Sequence, residues 1–148
     1  IYIRWDILIM KKICAIAAVV AAFSCFSAQA SDFPAGWELD GTNTDSDAGQ
    51  FTFVNKSVNA TVNITKVEGS NSTENLEAVA QASAKQIGCS SVGPAVDGFT
   101  LSDCPNNVHV YIEPDTDGYS VVTAVCEGDS CDEVNNFLNE MVRRGEEE

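Results

Sequence analysis

From Val58 to Thr65 apolar and polar residues alternate: Val58, Ala60, Val62 and Ile64 interleave with Asn59, Thr61, Asn63 and Thr65. Successive side chains of a strand leave opposite faces, so a period of two predicts a strand with one buried face. The segment QFTFVN repeats the pattern more briefly, with Phe51 and Phe53 on one side. The period then changes. In STENLEAVAQASAKQIG, residues Leu76, Val79, Ala80, Ala84 and Ile87 follow helical spacing. Asn71 with Glu74 reads as an N-terminal cap pair and Gly88 as the terminator. Alternation resumes in DGFTLSD, NVHVYIE and GYSVVTAVCE, and the cluster from Pro114 to Gly118 predicts a hairpin turn between the last two. The closing helix is the clearest element. Ser130 and Glu133 form a capping box, Val134, Phe137, Leu138, Met141 and Val142 make an apolar stripe, and Gly145 ends it.

Strands and helices therefore follow the order βββαβββα. Hairpin-linked strands with two helices predict an α+β fold, an antiparallel sheet of about six strands with both helices packed on one face. The turn-rich opening FPAGWELD places Trp37 as a core or edge anchor.

The N-terminal region has a different character. Met10-Lys11-Lys12, an apolar run from Ile13 to Phe23 and Ser27-Ala28-Gln29-Ala30 read as a secretory signal peptide. The boundaries are then 1–9 as an upstream extension, 10–30 as the signal, 31–145 as one α+β domain and 146–148 as an acidic tail. The apolar run is short for a membrane span, so none is expected after signal cleavage. Cys25 behind Ala22-Phe23-Ser24 faintly resembles a lipoprotein box, the alternative anchor. The chain carries 22 acidic residues against 8 Lys and Arg, a net charge of −14. Such acidity argues against nucleic acid and against anionic membrane surfaces.

Cys89, Cys104, Cys126 and Cys131 remain after the signal. An even set in an exported domain favours disulfides, and the compartment implied is a periplasm or the exterior. Four cysteines allow three connectivities. The two local pairs are favoured, because each joins the edge of one element to its neighbour. Cys131 also stands at a helix start, where the dipole lowers a thiol pKa, so thiol-redox chemistry at Cys126 and Cys131 is the alternative. The C-x4-C spacing and the anionic neighbours Glu127, Asp129, Asp132 and Glu133 weigh against it.

Other candidates have plainer readings. A weak calcium-binding module is the third reading: Asn43, Asp45 and Asp47 imitate the start of a calcium loop, although Ala48 and Val54 stand where Gly and a bidentate Glu belong. That turn, like Asp115 and Asp117, reads as acidic residues bonding their own backbone. Sequons at Asn55, Asn59, Asn63 and Asn71 read as Asn/Thr-rich strand surface. His109, the single histidine, should share a strand face with Tyr111, opposite Val108 and Val110. Without a placed nucleophile it makes no triad. No catalytic residue, metal or cofactor is expected.

FPAGWE, SVNATVNITKV, NLEAVAQASAKQI and GYSVVTAVCEG followed by CDEVNNFLNEMV together resemble the PsbP/DcrB-like superfamily. The resemblance spans nearly the whole domain and rests on fold signals. It implies an α+β sandwich and a non-enzymatic role, binding or assembling with an envelope or extracellular protein.

Overall fold

The computed structural model describes residues 33–95 and 97–146. The upstream extension, the signal segment with Cys14 and Cys25, and residues 147–148 of the acidic tail lie outside the described residues.

Among the described residues seven strands form one sheet: β1 (Glu38–Leu39), β2 (Gln50–Asn55), β3 (Ala60–Glu68), β4 (Ser91–Pro94), β5 (Phe99–Ser102), β6 (Val108–Pro114) and β7 (Gly118–Val125). Two helices, α1 (Thr73–Ile87) and α2 (Asp129–Glu146), follow β3 and β7. Every pairing is antiparallel, in the spatial order β1-β2-β3-β7-β6-β5-β4. The α+β class and the element order agree with the sequence pattern. The added strand is β4, which pairs Ser91 with Ser102 and Pro94 with Phe99 at the sheet's edge. Its Gly93 and Pro94 look like turn residues, yet an edge strand tolerates proline because one side of its ladder is unpaired.

The expected single-face packing of the helices is not what forms. On β6 and β7, Tyr111, Val122 and Ala124 join the cluster with Val134, Phe137, Leu138 and Met141 of α2. The alternate residues Val110, Ile112 and Val121 join Leu76, Ala80 and Ala84 of α1. The two helices thus cover opposite faces. Both faces of β6 and β7 are apolar, and one helix layer would leave half of those side chains in water.

Under α2, Trp37 stacks on Phe137 with ring centroids 4.3 Å apart, and Phe137 meets Phe53 at 5.1 Å. Phe33 packs edge-on against Phe53 at 5.6 Å. The opening segment is therefore a lid on this core, tied by the turn from Trp37 N–H to the Pro34 carbonyl at 3.0 Å.

The helix ends differ in detail from expectation. Ser72, not Asn71, caps α1 by accepting from the Asn75 N–H at 3.2 Å, while Asn71 reaches the Asp115 carbonyl at 2.7 Å. Gly88 ends α1 in the left-handed conformation at φ 98° with its N–H on Ala84, as expected. The Ser130 hydroxyl turns back to the Glu127 N–H at 2.7 Å and the Glu127 carbonyl at 2.8 Å, so the expected capping box with Glu133 is replaced by a hydroxyl clasp on the preceding turn. Helix α2 continues through Gly145 to Glu146. An interior glycine costs only about 1 kcal/mol, too little to end a helix at its frayed terminus.

One buried acid stands out. Glu113 is 1% exposed, opposite Ser120 on the α2 face, and its Oε1 has no hydrogen-bond partner among the described residues. Burial first, then the charges of Asp115 and Asp97, push its carboxyl up to about 9. The folded chain consequently holds a proton here that the unfolded chain releases above its ordinary value of 4.5. Its contribution to stability is fully present below that value and declines as pH rises towards the folded pKa.

Two outcomes follow from this core. Phe137→Ala should destabilise the domain by about 3–5 kcal/mol, read as a lowered urea midpoint; a loss under about 1 kcal/mol would refute the stacked lid as a core element. In Glu113→Gln, the stability advantage over the parent should widen by up to about 1.4 kcal/mol per pH unit between roughly pH 5 and pH 9. Parallel stability curves for the two proteins would mean that Glu113 is ionised in the fold.

Candidate functional site

The four cysteines of the domain and its histidine meet at one end of the sheet. Strand β5 ends at Ser102, and Asp103, Asn106 and Asn107 take positive φ of 56–60° to turn the chain into β6. Asn tolerates that conformation better than most residues, which is why this Pro-Asn-Asn turn forms. His109 follows as the second residue of β6 and pairs with Ala124, so its ring points to the α2 face, on Tyr111's side as expected. Strand β7 ends at Val125, and the Cys126 N–H donates to the Asn107 carbonyl at 3.2 Å. Gly128, at φ 59°, permits the tight reversal, and the Cys131 N–H closes it on the Gly128 carbonyl at 3.0 Å.

This handover brings Cys126 and Cys131 into a disulfide with Cα atoms 5.0 Å apart. Cys89 and Cys104 form the second, with Cα atoms 3.9 Å apart, beyond the ends of the β4–β5 hairpin. There the Ser90 N–H donates to the Ser102 carbonyl at 3.2 Å and the Ser90 hydroxyl donates to Asp103 at 3.3 Å. In the chain-entropy account, the loop between Cys89 and Cys104 contributes about 3 kcal/mol and the shorter one about 2 kcal/mol. The domain is disulfide-stabilised, with each bond at the edge of an element.

His109 Nε2 lies 3.7 Å from Cys131 Sγ. Among the described residues, His109, Cys126 and Cys131 are the group whose ligand-type atoms all fall within 4.8 Å of one another. Leu101, Asp103, Cys104, His109, Glu127 and Cys131 line an open cavity of about 490 Å³, so both disulfides border one hollow. The bonded sulfurs themselves are shielded, with Cys126 2% and Cys131 1% exposed. Sequence reasoning missed the approach of His109 to Cys131. The alternation around His109 shows its face, but the strand register that sets it beside Cys131 is a long-range property.

The acidic segments behave as turns. Asp45 accepts from the Ala48 N–H at 3.3 Å, Asn43 donates to Asp40 at 2.7 Å, and Val54 belongs to β2. That side-chain bond from Asn43 is the main reason the Asp40 carboxyl falls below its ordinary value. Asp115 accepts from the Asp117 N–H at 3.1 Å and from the Ser120 hydroxyl at 3.2 Å. The two turns, far apart in sequence, line one open hollow of about 660 Å³ with Asp47, Lys66, Glu68, Asp115 and Asp117. Their carboxylates do not converge as a ligand group among the described residues. The Tyr111 phenol is pushed up by burial and by the charges of Glu113 and Asp97.

The sequon asparagines also serve the fold. Asn55 is buried and accepts from the Ser57 N–H at 3.1 Å. Asn63 donates to the Thr52 hydroxyl at 2.8 Å and accepts from Thr65 at 2.8 Å. Asn59 takes the positive φ of 54° that turns β2 into β3.

No helix among the described residues is long and apolar enough to cross a membrane. Comparison with family models, with curated proteins and with solved structures finds no match, so the functional reading rests on the geometry of these residues.

Proposed function

We propose that this chain is a non-enzymatic, exported binding protein of the bacterial envelope, similar in role to small PsbP/DcrB-like proteins, that docks another envelope protein on one sheet face. The observation that carries the reading is a sheet face that no helix among the described residues covers. The apolar cluster under α1 takes in residues of β4 to β7 and none of β2 or β3. On that side Thr61, Asn63 and Thr65 of β3 and Thr123 of β7 are half-buried, and Val125 is the large apolar residue left exposed, at 40%.

The polar side chains there are already ordered. Thr52, Asn63 and Thr65 bond one another laterally, and the Thr52 hydroxyl also donates to the Asn43 carbonyl at 2.8 Å. Side chains already held by hydrogen bonds lose little entropy on binding. The signal segment and the disulfides favour a periplasmic or secreted location.

A second reading, thiol-redox exchange at Cys126 and Cys131, draws on the His109 approach and on the α2 N-terminus beside Cys131. An imidazole and a helix start both stabilise a thiolate. The near-complete burial of both sulfurs opposes it, because exchange requires in-line attack by an incoming thiolate.

A photo-crosslinking residue in place of Thr61, introduced in the cells that make the protein, should give a discrete protein adduct, whereas the same residue in place of the exposed Glu77 on α1 should give none. Absence of an adduct at Thr61, or equal adducts at both sites, would remove the binding face. Alkylation and intact-mass analysis under mild dithiol should leave Cys126 and Cys131 unmodified until the domain is denatured. Selective modification of those two in the native protein would favour the redox reading.

A further inference from the structure

We propose that the dithiol form of Cys126 and Cys131, together with His109, is a zinc site, so that disulfide and metal are alternative occupants of the β7–α2 handover. The inference stands independently of the sheet-face reading. It starts from a distance already in place. A zinc ion holds thiolate sulfur at about 2.3 Å and imidazole nitrogen at about 2.0–2.1 Å, which in tetrahedral geometry sets sulfur and nitrogen about 3.6 Å apart. Cys131 Sγ and His109 Nε2 are 3.7 Å apart in the folded chain. One edge of a coordination tetrahedron is therefore built before any metal arrives, and it is built from two different elements, β6 and α2.

Cys126 supplies the third ligand. The C-x4-C spacing lies within the range of zinc knuckles, and the two Cα atoms stand 5.0 Å apart in the disulfide, on either side of the turn through Gly128. Scission of the disulfide lets Cys126 Sγ turn about χ1 to complete the third vertex. The fourth faces the 490 Å³ hollow, where Asp103 and Glu127 stand in the lining. An open position beside carboxylates suits a bound water or a carboxylate oxygen. The anionic neighbours that argue against a thiolate in the bare protein favour a divalent cation.

The chemistry balances in two steps. A phosphine, a stronger reductant than the mild dithiol that the buried bond resists, transfers two electrons to the Cys126–Cys131 bond and takes up oxygen from water, leaving two protein thiols and the phosphine oxide. Zinc then binds as both thiols lose their protons, two protons being released per ion. A low-molecular-weight disulfide takes two electrons back from the two thiolates and leaves as two thiols after proton uptake, which re-forms the Cys126–Cys131 bond, removes two of the three protein ligands and releases the metal.

The test uses the full chain with Cys14→Ser and Cys25→Ser, which removes thiols outside the domain. After anaerobic reduction by a phosphine, cobalt(II) should bind at one ion per chain with thiolate charge-transfer and tetrahedral ligand-field absorption, and zinc should displace it. His109→Asn, which keeps both thiols, should weaken binding at least ten-fold, and Cys89→Ala/Cys104→Ala should retain it. Peptide mapping of the zinc-loaded, alkylated chain should show Cys126 and Cys131 protected and Cys89 and Cys104 modified. The mapping reads correctly even if reduction loosens the fold, because metal binding and folding are then coupled. No charge-transfer band, undiminished binding by His109→Asn, or protection of Cys89 and Cys104 in place of the other pair would each overturn the proposal.

Discussion

The ladder between β3 and β7 is the contact on which the rest of the structure depends. It pairs the chain from Thr61 with Val125 to Glu68 with Gly118, and it joins the N-terminal hairpin to the C-terminal strands across the whole of α1, β4, β5 and β6. Only after this closure does β7 become a central strand, with Val122 and Ala124 buried on one face and Tyr119 and Val121 packed on the other. A strand apolar on both sides demands cover on both sides. Helix α1 supplies one layer and α2 the other, each over a different half of the sheet. Among the described residues the N-terminal half has a helix on one face only, and β3 is rich in Thr and Asn on the other.

Much of this was legible in the alternation itself. The buried face of β3, the helical stripe of Leu76, Ala80 and Ala84, and the stripe of Val134, Phe137, Leu138 and Met141 all read directly from periodicity, because period reports which residues share a side. Period does not report which side of a sheet a helix will meet. The clue to opposite-face packing was the doubled apolar character of NVHVYIE and SVVTAV, where both registers carry large residues. Strand β4 was hidden, although it pairs with β5 in a local hairpin, because its residues, Gly93 and Pro94 among them, carry turn signals. The caps at Ser72 and Ser130 escaped for a different reason. Neighbouring Ser and Asn residues compete for the same backbone donors, and tertiary bonds such as Asn71 to Asp115 decide between them.

The candidate site divides in the same way. That Cys126 and Cys131 tie β7 to α2 follows from local sequence, since each lies at an element's edge. That His109 faces them follows from register with Ala124, which no local window contains. Cys104 reaches the same hollow by a third route, the turn from β5 into β6. Three separate connections thus converge at one end of the sheet, and both covalent ties sit there.

The opposite end is held by weaker means and carries more charge. Its turns close through hydrogen bonds without a covalent tie, such as Lys66 N–H to the Gly49 carbonyl at 2.8 Å and Asp115 N–H to the Gly118 carbonyl at 2.9 Å. Asp47, Glu68, Asp115 and Asp117 gather there around Lys66, and like charges at such spacing repel over a screening length of about 8 Å at physiological salt. A Cβ on Gly118 would collide with the Val67 carbonyl, so this hairpin lies tight against β3 and has little room to relax. Glu113 is buried on the same strand as that turn, with Asp97 and Asp115 acting on it. Ionising it would add one more negative charge, inside the core, to the end least able to bear it. The proton on Glu113 is therefore part of what keeps the acidic end closed, as the disulfides are part of what keeps the other end closed. One end is sensitive to pH and salt, the other to reductant.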